Sequence, residues 1–73
     1  MIPVRSEATL EEAVEEYRRD IVHALLQRGV LLPAAQRQVA ESRFWHKVLD
    51  APHYYMNQWP IERAAERVLS ERA

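Results

Sequence analysis

The stretch TLEEAVEEYRRDIVHALLQRG, Thr9 to Gly29, decides the fold class. Leu10, Val14, Tyr17, Ile21, Ala24 and Leu25 recur at steps of three and four, which sets them along one stripe of a helix and directs that stripe inward. Thr9 and Glu12 have the spacing of a capping box, in which the hydroxyl accepts from a backbone amide while the carboxylate reaches back to the cap. Gly29 follows Arg28, and glycine takes the left-handed conformation that ends helices without a side-chain penalty, so Val30 should fold back on Leu25. These features predict a first helix over 9–28.

The segments on the C-terminal side repeat the pattern. Pro33 suits the first turn of a helix, where its missing amide proton is no loss, and predicts a second helix over 33–49. The first half of that helix is weakly patterned, but Phe44, Trp45, Val48 and Leu49 gather on one side against Arg43, His46 and Lys47 on the other. Pro52 ends it by disfavouring helical geometry in the residue before, with Asp50 as the expected cap. Residues 53–58 read as a short helix or an ordered turn. Pro60 then reopens a helix over 60–72, where Ile61, Ala64, Ala65, Val68 and Leu69 keep the three-and-four spacing. Residues 1–8 form an N-terminal arm, with Ile2 to Val4 as an extended stretch. The expected fold is a single all-α domain, 1–73: a small bundle of three main helices with a short extra turn or helix before the last.

Composition agrees with a helical domain. Of 73 residues 48% are apolar and one is glycine, too much apolar surface for a disordered tail. The net charge of −1 gives no overall field that would draw in nucleic acid or an anionic membrane. The absence of cysteine removes disulfides, thiolate nucleophiles and Cys-type zinc sites. The longest apolar run, Val30 to Ala35, falls far short of the roughly 20 residues a membrane helix needs, so a soluble, cytoplasmic protein is expected. His46, Asp50 and His53 invite a metal reading, but Pro52 redirects the backbone among them and no fourth ligand lies nearby. No serine has a base-and-orienter pattern beside it, and there is no glycine-rich phosphate loop. Neither catalysis nor a cofactor is expected.

Charge and aromatic residues are unevenly spread. Glu7, Glu11, Glu12, Glu15 and Glu16 precede any basic residue of the first helix, giving a solvated acidic face or a patch for a basic partner. From His23 to Lys47 the sign reverses, with Arg28, Arg37, Arg43 and Lys47 against Glu41 alone. Such a face admits a DNA-binding alternative, a helix-turn-helix with Gly29 in the turn and Pro33 to Leu49 as the reading helix. The bulky Leu25 stands where that motif favours a small residue. Phe44, Trp45, Tyr54, Tyr55 and Trp59 concentrate the aromatic surface in one short span. Phe44 and Trp45 are the expected core members. So small a domain can hardly enclose all five, which makes Tyr54, Tyr55 and Trp59 candidate interface residues, flanked by Arg43 and Lys47.

The segment FWHKVLDAPHYYMNQWP, Phe44 to Pro60, together with the chain length and the Ala/Arg/Glu-rich composition, resembles the small RNA polymerase-binding transcription regulators of lytic Xanthomonas bacteriophages. The resemblance implies a non-enzymatic protein of the host bacterial cytoplasm. It would contact the amino-terminal region of the polymerase β′ subunit, with the β flap nearby, interfere with the σ factor and so inhibit initiation. It also implies antitermination in company with the NusA factor. No contact residues are implied by it. An antitoxin or inhibitor acting through another protein would share the same sequence features.

Overall fold

Thr9 caps the first helix, as its spacing from Glu12 predicts. Its hydroxyl accepts from the amide of Glu12 and its own amide donates to the Glu12 carboxylate, both at 3.1 Å, which closes the capping box. A computed structural model describes residues 9–71, in which the chain forms five helices. They are α1 (Leu10–Gln27), α2 (Leu32–Glu41), α3 (Arg43–Asp50), α4 (Pro52–Gln58) and α5 (Ile61–Ser70), with no strand among the described residues. The predicted arm over 1–8, with its extended stretch, lies outside the described residues.

The end of α1 follows from Gly29. At φ 92° it occupies the region L side chains avoid, and the amides of Gly29 and Val30 donate to the carbonyls of Leu26 and Leu25 at 3.0 and 3.1 Å. This pair of bonds is the Schellman closure. It turns the chain back so that α2 packs against α1, with Ala35 and Val39 fully buried.

The predicted single helix over 33–49 is two helices, and the break has a packing cause. Phe44 follows Ala35 by nine residues, as Val48 follows Val39, and nine residues are roughly 2.5 turns at 3.6 per turn. An unbroken helix would therefore aim Phe44 and Val48 away from the side that Ala35 and Val39 bury. Ser42 resolves the conflict by leaving helical geometry, at φ −72° and ψ 135°, while its hydroxyl accepts from the amide of Trp45 at 3.2 Å. One residue ends α2 and caps α3. The Glu71 carboxylate completes the cap from the far end of α5, accepting from the amides of Arg43 and Phe44 at 2.8 and 3.1 Å.

The segment 53–58 is helical, as α4. Pro52 lies in its first turn, and Ala51, at φ −142° and ψ 68°, makes the bend after α3. Asp50 is the last residue of α3 and does not cap it; the cap position is Ala51. The final helix begins at Ile61, with Pro60 as its cap residue.

The core is assembled from Tyr17, Ile21, Val22, Ala24 and Leu25 of α1, Ala35 and Val39 of α2, Phe44, Trp45 and Val48 of α3, and Ala64, Ala65 and Val68 of α5. Ile21 and Leu25 are wholly enclosed, each contributing about 2 kcal/mol by burial of apolar surface. Leu10, expected on the inward stripe, is 43% exposed, because it lies in the first turn of α1, one turn beyond the partly buried Val14 where the core ends. Leu49, grouped with Phe44 and Trp45, is likewise mostly in solvent. Arg28 holds α5 against the end of α1, donating to Glu62 at 2.9 Å and lying 3.6 Å from Glu66.

Candidate functional site

Phe44 is the buried root of an aromatic cluster that reaches the surface. Its ring lies 4.9 Å from that of Trp59, tilted by 58°, and 5.9 Å from that of Tyr55, edge to face. Tyr55 in turn meets Tyr54 edge to face at 5.0 Å. Such offset and perpendicular arrangements suit the ring quadrupoles and add about 1 kcal/mol per pair beyond burial. Exposure rises outward along this chain of rings: Phe44 is buried, Tyr55 and Trp59 are half-buried, and Tyr54 is 60% exposed.

The three aromatic candidates therefore divide. Tyr54 is a surface residue of α4. Tyr55 and Trp59 each place part of the ring against the core and part in solvent, with Met56 half-buried beside them. Trp59 is also tied by its backbone, whose carbonyl accepts from the Tyr17 hydroxyl at 2.6 Å. Burial of Tyr17 pushes that phenol up to about 12. The ring of Tyr17 stacks on Trp45 at 6.3 Å, so Trp45 belongs to the core and not to the surface cluster.

The basic candidates, Arg43 and Lys47, stand one turn apart on the exposed side of α3, the helix whose Phe44 meets Tyr55 and Trp59. Neither makes an ion pair among the described residues. The structure adds one member that the sequence reading omitted. Arg63 places its guanidinium 5.0 Å from the centre of the Trp59 ring, a cation–π contact. Its signal in the sequence was the four-residue spacing from an aromatic residue.

Other sequence candidates are not brought together. Among the described residues no group of three His, Asp or Glu side chains is placed to hold a metal, so His46, Asp50 and His53 do not converge. The proposed DNA-reading helix over Pro33 to Leu49 is interrupted at Ser42, and Arg28 is committed to Glu62 and Glu66. The acidic residues Glu11, Glu12, Glu15 and Glu16 lie in solvent on α1, where the Arg18 guanidinium bonded to Glu15 holds that carboxyl below the usual range. No helix among the described residues is long and apolar enough to cross a membrane. No family model, curated protein or solved structure matches the chain.

Proposed function

We propose that this chain is a non-enzymatic transcription regulator that docks on bacterial RNA polymerase through the face built by α3 and α4. The observation that supports docking is the graded aromatic cluster, in which an exposed Tyr54 is held by half-buried Tyr55 and Trp59 on a buried Phe44. Tyrosine and tryptophan held in place by packing offer contact area at little entropic cost, the property that makes them binding hot spots. The choice of polymerase rests on the resemblance carried by Phe44 to Pro60.

In this reading the domain occupies the amino-terminal region of β′ beside the β flap, hinders the σ factor and inhibits initiation. On an elongating polymerase with NusA, it favours read-through of terminators. An interface of standard size takes about 800 Å² from each partner, so much of the α3–α4 side would be covered.

A tagged full chain should retain bacterial core polymerase on a column, reduce promoter-dependent transcription and raise terminator read-through with NusA present. Failure to retain polymerase overturns the assignment. Retention of promoter DNA in its place would favour a DNA-binding repressor, and its steep loss with added salt would identify phosphate contacts.

A further inference from the structure

We propose that the α3–α4 face takes an acidic, amphipathic protein segment, with the carboxylates of the partner meeting Arg43, Lys47 and Arg63 and its apolar side chains lying on Tyr54 and Tyr55. This rests on the docking role above but not on polymerase being the partner.

The cations of the face make no ion pair among the described residues. Among the described residues Arg18 pairs with Glu15, Arg28 with Glu62 and Glu66, and Arg67 with Glu71. Arg43, Lys47 and Arg63 make no such pair, and all three belong to the helices that build or flank the aromatic cluster. Most carboxylates on this side are already engaged. α4 has none, Glu62 and Glu66 on α5 are held by Arg28, and the Glu71 carboxylate is taken up by the backbone amides of Arg43 and Phe44 and by Arg67, which leaves Asp50 on α3 and Glu41 beside Arg43. The excess acidic residues of the chain lie instead on the first turns of α1. A partner matched to this face therefore carries negative charge, because opposite potentials speed encounter and like charges reject the wrong partner.

The apolar component sets the class of macromolecule. A single-stranded nucleic acid would also bring negative charge, but it needs open ring faces on which bases stack. Trp59 is occupied by Phe44 at 4.9 Å and by Arg63 at 5.0 Å, while Tyr55 is met by both Phe44 and Tyr54. Only Tyr54 is open enough for a base. What the rings offer is an irregular apolar surface with polar tips, with Met56 half-buried beside them, which suits aliphatic side chains of a helix.

The test uses the full chain, isotopically labelled for nuclear magnetic resonance, and synthetic helical peptides with one leucine pattern. Their polar positions are filled by glutamate, glutamine or lysine. The Leu/Glu peptide should shift the signals of Lys47, Tyr54, Tyr55 and Arg63, bind about tenfold more tightly than the Leu/Lys peptide, and weaken as salt rises. The double variant Arg43→Gln, Lys47→Gln should bind the Leu/Glu peptide no better than the Leu/Gln peptide, with circular dichroism unchanged. Absence of Leu/Glu binding, equal binding of all peptides, or shifts confined to other surfaces would overturn the proposal. So would preferential binding of oligouridylate. Loss of polymerase binding with the peptide result intact removes the polymerase assignment and leaves the acidic-segment proposal standing.

Discussion

The hydroxyl of Tyr17 donates to the carbonyl of Trp59 at 2.6 Å, across 42 residues of sequence. The bond joins the middle of α1 to the residue that links α4 to α5. It thereby fixes the height at which α5 enters the bundle and the position of the Trp59 ring on Phe44. Because Trp59 precedes a proline, its backbone is confined to extended geometry, at φ −121° and ψ 99°, so its carbonyl is held in one direction.

Removing that hydroxyl should be felt in stability and at high pH. Tyr17→Phe keeps the stack on Trp45 but leaves a partly buried carbonyl without its donor, which costs about 1–2 kcal/mol. The urea midpoint should fall with no change in slope. Since the folded pKa is raised from 10.0 to about 12, the unfolded chain loses this proton first. The contribution of Tyr17 is therefore complete below about pH 10 and is lost as pH rises toward 12. Alkaline unfolding of the wild type in that window, absent in part from the phenylalanine variant, is the expected outcome, read by circular dichroism.

Glu71 should govern the acid side. Burial pushes its carboxyl up, but the amides of Arg43 and Phe44, with Ser42 and Arg67, together outweigh that and hold it below the ordinary 4.5. A depressed folded pKa stabilises the protein above the unfolded value and ceases to do so as pH falls through the folded one. Glu71→Ala should cost about 1 kcal/mol at neutral pH, the usual worth of a helix cap, and should flatten the loss of stability below pH 4.5. Urea titrations at neutral and acid pH separate the two effects.

Two inward positions of unequal depth should respond unequally to charge. Leu25 is fully enclosed, whereas Ile61 is half-buried at the start of α5. Leu25→Asp places an unpaired carboxylate where no water reaches, at several kcal/mol against a total stability of about 5, and the domain should not fold. Ile61→Asp can turn its carboxylate to solvent and should leave a folded protein of reduced melting temperature. Equal loss of helical signal in both would contradict the burial order.

The aromatic cluster should split into contact and support. Tyr54→Ala should change stability by no more than about 0.5 kcal/mol, as surface substitutions do, and abolish polymerase retention. Trp59→Ala also removes the ring that covers Phe44, and it should cost about 2 kcal/mol besides losing the partner. Thermal melts run beside the pull-down distinguish the two. A Tyr54→Ala variant that binds polymerase normally would move the interface elsewhere.

How far the sequence reaches is clear at particular residues. The capping box at Thr9, the stop at Gly29 and the apolar spacing of α5 are local signals, set by backbone hydrogen bonding within one turn, and each appears where the spacing placed it. The break at Ser42 was also present in the sequence, as the nine-residue offset between the apolar pairs of α2 and α3, but a helix-by-helix reading joins two amphipathic halves whose apolar sides an unbroken helix would aim opposite ways although both enter one core.

The remaining features have no local cause. The Glu71 cap on α3, the tie from Tyr17 to Trp59 and the pairing of Arg28 with Glu62 and Glu66 join residues far apart in sequence, so no spacing rule reveals them. The sequence by itself determined that this chain is helical, where most of its helices begin and end, and that its aromatic residues exceed what a small core needs. Tertiary structure alone decided which rings fill that core, which reach solvent and which cations pair with carboxylates, because burial and ion pairing depend on how the helices meet.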